Sequence, residues 1–272
     1  MNVLEIAAPD DPRVDEFARM RDSLLRDRLA TEHGAFLAEG LVVVERALRA
    51  GYRLRRVLTE PRYADEVTRL LAGREACAYG VPVYVAERPV LRAITGYPEH
   101  PGPLGTFDRR PELSAAEVLA GAGRVVVLED TVNPTNMGVL FRCAAGLGMD
   151  AMLLTPRCTD PLYRRSVRAS MGEVFAIPWA RLGSWPGGLE LLRAAGFALV
   201  AMTPGAGSVA LDAYDPSSVE RLAVLLGTEG PGLSAAALAA ADVRLSIPMA
   251  RGVDSLNVGA AAAVAFWHLG RR

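Results

Sequence analysis

The sequence predicts an α/β protein in two parts, a smaller N-terminal α/β domain and a larger C-terminal domain built on a mostly parallel sheet. Three observations predict it. Beyond residue 122, short apolar runs alternate with stretches of helical length, the pattern of parallel strands covered on both faces. Near residue 100 the segment Tyr97-Pro98-Glu99-His100-Pro101-Gly102-Pro103 interrupts any regular pattern. The chain also has 272 residues, enough for two domains. A second breaker, Gly121-Ala122-Gly123, precedes the first downstream strand. The boundary is therefore expected between residues 105 and 122, giving domains 1–110 and 111–272.

Upstream, residues 11–29 read as a charged amphipathic helix and 35–39 as a short strand. Residues 41–50 read as a helix stopped by Gly51, a favoured residue just past a helix end. A strand follows at 54–58, a helix at 61–78 and a strand at 81–85. Downstream, strands are expected near 124–129, 151–155, 175–178, 197–202, 222–227 and 243–247. Helices are expected near 136–147, 161–170, 185–195, 234–241 and 257–269. In such sheets ligands bind beyond the carboxyl ends of the strands, so the strand exits are where chemistry is sought.

Composition excludes several classes. Hydrophobic residues are 51% and charged residues 22%, an ordinary globular balance. All 30 basic residues are Arg. A chain without lysine has no Walker A loop, no pyridoxal Schiff base and no kinase strand lysine. The net charge is -1, and residues 1–110 balance 17 Arg against 17 acids, so the totals show no nucleic-acid footprint. The local cluster Arg53-Leu54-Arg55-Arg56 reads as a solvated strand end. The cysteines Cys77, Cys143 and Cys158 and the three histidines have no metal-ligand spacing, which argues against zinc and against a disulfide framework. No leader-like start and no run of about 18 apolar residues is present, so a cytoplasmic location without membrane contact is expected.

Three strand exits carry polar residues of interest. The first, Glu129-Asp130-Thr131-Val132-Asn133-Pro134-Thr135-Asn136, enters a helix that carries Arg142 among apolar neighbours. A charge in so apolar a helix is usually paired or functional. The second is Gly227-Thr228-Glu229-Gly230-Pro231-Gly232-Leu233-Ser234. Its glycines permit close backbone approach to a ligand, but their spacing is not that of a dinucleotide fingerprint. The third runs Ile247-Pro248-Met249 to Ser255-Leu256-Asn257-Val258 and opens an Ala-rich helix, where free N–H groups suit an anion. Each exit alone is also consistent with ordinary capping.

Together, in this order and spacing, the three exits resemble the SpoU, or TrmH-like, family of RNA ribose 2′-O-methyltransferases in the SPOUT superfamily. The likeness covers roughly residues 124–270 and includes Arg168-Ala169-Ser170-Met171-Gly172-Glu173-Val174-Phe175. It departs in lacking a Gly before Asn136 and in having Gly259 where a small Ser is common. Residues 35–60 are similar to the family's N-terminal substrate-binding domain, which is like certain small RNA-binding ribosomal proteins. The resemblance implies a deep trefoil knot in the C-terminal domain and S-adenosyl-L-methionine as methyl donor, with no metal. It implies cofactor contacts at Gly227, Thr228, Ile247, Met249 and Leu256. It implies catalytic roles for Arg142, Asn136, Glu229, Ser255 and Asn257, with Arg142 as a base or as a clamp on phosphate and alkoxide. A guanidinium holds its proton far too tightly to make Arg a good base. The implied substrate is a structured RNA, foremost ribosomal RNA, and the implied assembly is a homodimer through the last helix and the first-motif helix. Alternatives are a tRNA ribose methyltransferase, a base-nitrogen methyltransferase and a non-catalytic RNA-binding protein of the same fold.

Overall fold

The structure is a computed structural model that describes residues 2–18, 34–74, 78–97, 102–205 and 207–270. It comprises two compact units. The first holds Met1–Pro111 together with Leu162–Ala176, and the second holds Glu112–Pro161 and Ile177–Arg272.

The first unit is built on strands β1 (Asn2–Ile6), β2 (Ala35–Glu39), β3 (Leu54–Thr59), β4 (Pro82–Ala86) and β5 (Leu104–Asp108). Their spatial order is β1-β4-β3-β5-β2. The β1, β4 and β3 pairs are parallel, whereas β5 runs antiparallel to both neighbours. Helices α1 (Leu41–Arg49), α2 (Ala64–Leu71) and α3 (Arg88–Thr95) connect them. Gly51 follows α1 with φ 79, the left-handed conformation that favours glycine.

β1, α3 and β5 were not among the expected elements. β5 lies just past the Pro/Gly break and contains Gly105, where a Cβ would stand 2.9 Å from the Phe107 ring. The glycine there serves close packing rather than a turn. The expected helix over 11–29 is a 3-10 turn at Pro12–Phe17, ended by the extended backbone of Ala18; residues 19–29 lie outside the described residues. The expected helix at 61–78 is a 3-10 turn leading into α2, and Cys77 lies outside the described residues. The Arg53–Arg56 charges are answered within the unit: Arg55 Nε lies 2.5 Å from Asp108, and Arg56 lies 3.0 Å from Glu16.

Leu162–Ala176, expected within the second domain, packs in the first unit. Its helix α6 (Arg164–Ala169) puts Arg164 2.7 Å from Glu39, a buried ion pair. The strand expected at 175–178 is absent. Phe175 instead joins Phe36 and Tyr52 in an aromatic cluster, and the next strand, Trp179–Arg181, begins only after Pro178, which has no N–H for a ladder.

The second unit is a seven-stranded parallel sheet in the order β10-β12-β9-β11-β6-β7-β8. Its strands are β6 (Arg124–Leu128), β7 (Ala151–Leu154), β8 (Trp179–Arg181), β9 (Ala198–Met202), β10 (Val209–Ala210), β11 (Leu222–Leu226) and β12 (Val243–Ser246). All residues of β6, β7 and β11 are buried, as continuous Val/Leu runs require. Helices α4 (Ala115–Leu119), α5 (Pro134–Gly146), α7 (Gly188–Ala194), α8 (Ala235–Ala240) and α9 (Val258–Leu269) surround it. α9 packs on α5, as expected for a buried Ala-rich helix. No helix among the described residues is long and apolar enough to cross a membrane.

Candidate active site

Strands β12, β9 and β11 are neighbours and parallel, so their carboxyl ends share one edge of the sheet. A cavity of about 560 Å³ opens there, within the usual range for a small-molecule site. It is lined by the exits of β11 and β12 and the start of α9. These bring together Gly227, Thr228, Glu229, Ile247, Met249, Ser255, Leu256 and Asn257.

The β11 exit is a closed turn. Thr228 and Gly232 form an antiparallel bridge, and the Gly232 N–H donates to the Thr228 carbonyl at 3.1 Å. A Cβ on Gly227 would sit 2.1 Å from the Gly232 carbonyl carbon. Gly227 therefore lets the loop close on itself while lining the cavity. Gly230 and Gly232 have φ of 86 and 73, which only glycine adopts easily.

Asn257 links the polar residues. Its side-chain oxygen caps α9 by accepting from the Gly259 N–H at 2.9 Å. Its Nδ2 donates to Glu229 Oε1 at 2.6 Å and reaches Asn136 Oδ1 at 3.5 Å. Asn136 is buried in the first turn of α5, and Asn133, not Asn136, caps that helix. Three residues from three strand exits thus meet at one point.

Arg142 stands apart. It does not line the cavity, it is exposed, and it makes no hydrogen bond or ion pair with the described residues. The apolar side of α5 faces inward through Met137, Leu140, Phe141 and Ala144, so the charge meets water. Its apolar neighbours do not by themselves demand a partner. Ser255 lies at the cavity with an exposed side chain.

Two parts of the site were missed from the sequence. Met202, Thr203 and Pro204 line the cavity from the exit of β9, whose position was expected but whose following residues were not singled out. Glu129, at the end of β6, is buried and accepts from the Trp185 indole at 2.5 Å and from the Ser234 N–H at 3.0 Å. Burial pushes the Cys143 and Cys158 thiols up from their ordinary value, which keeps both protonated near neutral pH and makes them poor nucleophiles. Among the described residues, no group of His, Cys, Asp and Glu could hold a metal ion.

Comparison with known proteins places the chain in a family. Residues 123–267 match the SpoU rRNA methylase family. An uncharacterized tRNA/rRNA methyltransferase of Mycobacterium tuberculosis is 43% identical over 98% of this chain and 91% of its own length. The 23S rRNA (guanosine(2553)-2′-O)-methyltransferase RlmP of Bacillus subtilis is 31% identical, over 88% of this chain and 90% of its own length. Among solved structures, an AdoMet-bound rRNA methyltransferase from Sinorhizobium meliloti superposes with a TM-score of 0.81 at 28% identity, covering 98% of this chain and 97% of that one. A cavity where three parallel strands end, lined by Glu229 and Asn257 with Asn136 behind them, is thus found in a chain that belongs to the SpoU rRNA methylase family and is an RNA methyltransferase.

Proposed function

We propose that this protein transfers a methyl group from S-adenosyl-L-methionine to a ribose 2′-hydroxyl of ribosomal RNA. The observation that carries this reading is the cavity at the ends of β9, β11 and β12, in whose wall Asn257 holds Glu229 and reaches back to Asn136. Two solved relatives bind AdoMet, the Sinorhizobium enzyme and AviRb from Streptomyces viridochromogenes, the latter with a TM-score of 0.76 at 25% identity. RlmP supports ribosomal RNA and the 2′-hydroxyl as the target.

The cavity fits the cofactor on its own chemistry. Its walls include Leu226, Ile247, Met249 and Leu256, apolar surface suited to an adenine ring. Its charged lining residues among those described are Glu229 and Asp254, with no Arg or His. A cationic sulfonium is favoured there over an anion. Gly227 and Thr228 would hold the adenosine end through the closed loop. Ile247, Met249 and Leu256 would pack on it.

The cofactor supplies a methyl group already activated as a sulfonium, so the chain's task is to position an alcohol and manage its proton. Asn257 holds the Glu229 carboxylate and Asn136 together, and Ser255 lies beside them as a small polar contact for the target nucleotide. Arg142 holds phosphate or the developing alkoxide through its planar fork. Because Arg142 does not line the cavity of its own chain, a homodimer through α5 and α9 is the assembly that would bring one to it. The first unit serves as the RNA-binding module, like the small ribosomal proteins that its sequence resembles. The knot that the family resemblance implies is placed, in this reading, in the loops after β11 and β12, which meet at the cavity. The reaction belongs in the cytoplasm, where the RNA is made.

Isothermal titration tests the cofactor site. The protein alone should bind S-adenosylmethionine and S-adenosylhomocysteine. Ile247→Arg, which fills the cavity and adds a like charge, should abolish both. Absence of binding to the unaltered protein, or intact binding to the variant, would overturn the assignment.

A further inference from the structure

Glu129 is a buried carboxylate that none of the three motif assignments uses. It is 5% exposed, and its hydrogen-bond donors among the described residues are the Trp185 indole (2.5 Å) and the Ser234 backbone (3.0 Å). Neither is charged. A carboxylate is costly to bury without a cation, and two N–H donors offset that cost when each is well placed. Glu129 also donates its own backbone N–H to the Leu226 carbonyl at 2.8 Å, so the end of β6 is joined to the end of β11.

The two ends of the glycine loop are therefore both held from Glu129. Leu226 is the last residue of β11, immediately before Gly227. Ser234 follows Leu233, one residue past Gly232, and caps α8 through its hydroxyl, which accepts from the Ala237 N–H at 3.2 Å. The loop between carries Gly230 and Gly232 in left-handed conformations. Such a segment has few shape-holding contacts of its own beyond the Thr228–Gly232 bridge, so its closed shape depends on where its ends are held.

We propose that Glu129 is a positioning residue for the cofactor. Its carboxylate clamps Ser234, with Trp185 fixing its orientation, so that the 227–233 loop stays closed and the cavity wall is ready before ligand arrives. This rests on the cofactor site proposed above. Removal of the clamp costs ordering of the loop on binding, and that appears in cofactor affinity rather than in the chemical step.

Glu129→Gln tests this with near-identical shape. A glutamine oxygen serves one N–H donor, while its NH2 faces the other and repels it. The expected result is about tenfold weaker S-adenosylhomocysteine binding by titration, the scale of one charge-assisted hydrogen bond. The KM for S-adenosylmethionine should rise by a similar factor, with kcat at saturating cofactor within about twofold. Trp185→Phe removes one donor and should weaken binding about threefold. In Glu129→Gln/Trp185→Phe the glutamine can turn its NH2 toward the vacated side and its oxygen toward Ser234. The double variant should therefore bind more tightly than Glu129→Gln alone.

Rescue is what a merely structural role would not produce, since two destabilising changes would add. Unaltered affinity in Glu129→Gln, a fall in kcat at unaltered affinity, or a double variant weaker than both singles would each overturn the proposal. Should Glu129→Gln not fold, Trp185→Phe alone decides, and wild-type affinity in it counts against the clamp. A native protein that binds no cofactor sinks the proposed site itself, an outcome distinct from these.

Discussion

Arg142 projects from a helix whose inward side is Asn136, Met137, Leu140, Phe141 and Ala144, and its charge is solvated among the described residues. A solvated arginine carries little stability, so any loss on its removal reports on function. Arg142→Ala should lower methyl transfer by about 100-fold or more while cofactor affinity stays within about twofold. Arg142→Lys should not rescue, because an ammonium lacks the fork that can hold a phosphate and a ribose oxygen together. Single-turnover transfer with labelled cofactor, beside a binding titration, separates the two effects. Asn257 is the opposite case, since it caps α9 and also holds Glu229. Asn257→Ala should cost about 1 kcal/mol of stability as a lost cap, and transfer as well. Thermal melting and the same assay read both. Asn136, Glu229 and Asn257 were legible in the sequence because each sits at a strand exit, and an exit is recognisable from the apolar run before it. Glu129 and Trp185 were not. They are separated by 56 positions, and only the fold brings the indole to the carboxylate.

The glycine loop shows how an element can be recognised while part of its reason stays hidden. Its three glycines were visible and its place after a buried strand was correct. The cause of Gly227, contact with Gly232 in the same loop, is visible only once the turn is closed. Gly227→Ala should therefore open the loop and lower cofactor affinity by at least about tenfold, although one methyl is small. A titration curve equal to that of the unaltered protein would contradict this. Gly259, where the family often has Ser, has its own local cause. A Cβ there would lie 2.6 Å from Val139 on α5, so the two helices approach closely at this point. Arg124 secures the other end of α9. It is buried and donates to the carbonyls of Leu269, Glu220, Pro216 and Val219. Arg124→Ala leaves one buried and three part-buried carbonyls without this donor and should destabilise the protein by about 2 kcal/mol, read as a shift in the urea midpoint. The strand expected at 175–178 failed for a comparable reason. Periodicity does not reveal that Phe175 is claimed by Phe36 and Tyr52.

At the scale of the whole molecule, two parts were expected from chain length and the breaks near residues 100 and 122, but that Leu162–Ala176 groups with the first unit was not visible, because a helix between β7 and β8 reads as local to the sheet. The buried Glu39–Arg164 pair that places it in the first unit joins residues 125 positions apart. α9 leaves Val264 and Trp267 43% and 60% exposed, apolar surface suited to a second copy. Light scattering should give about twice the 29.0 kDa chain mass at micromolar concentration. If Arg142 completes the cavity of the other subunit, mixing Arg142→Ala chains with Ile247→Arg chains should restore part of the activity that neither variant has alone. Mixed dimers as inactive as the parents would place Arg142 and the cavity in one chain.

The central claim is ribose methylation of ribosomal RNA, and it meets its most direct test in transfer of labelled methyl from S-adenosylmethionine to unmodified ribosomal RNA, followed by digestion to nucleosides. Label is expected in a single 2′-O-methylnucleoside, and none when the target position carries a 2′-deoxyribose, which lacks the nucleophile. Label on a base, label retained by the deoxy substrate, or label confined to tRNA would contradict it.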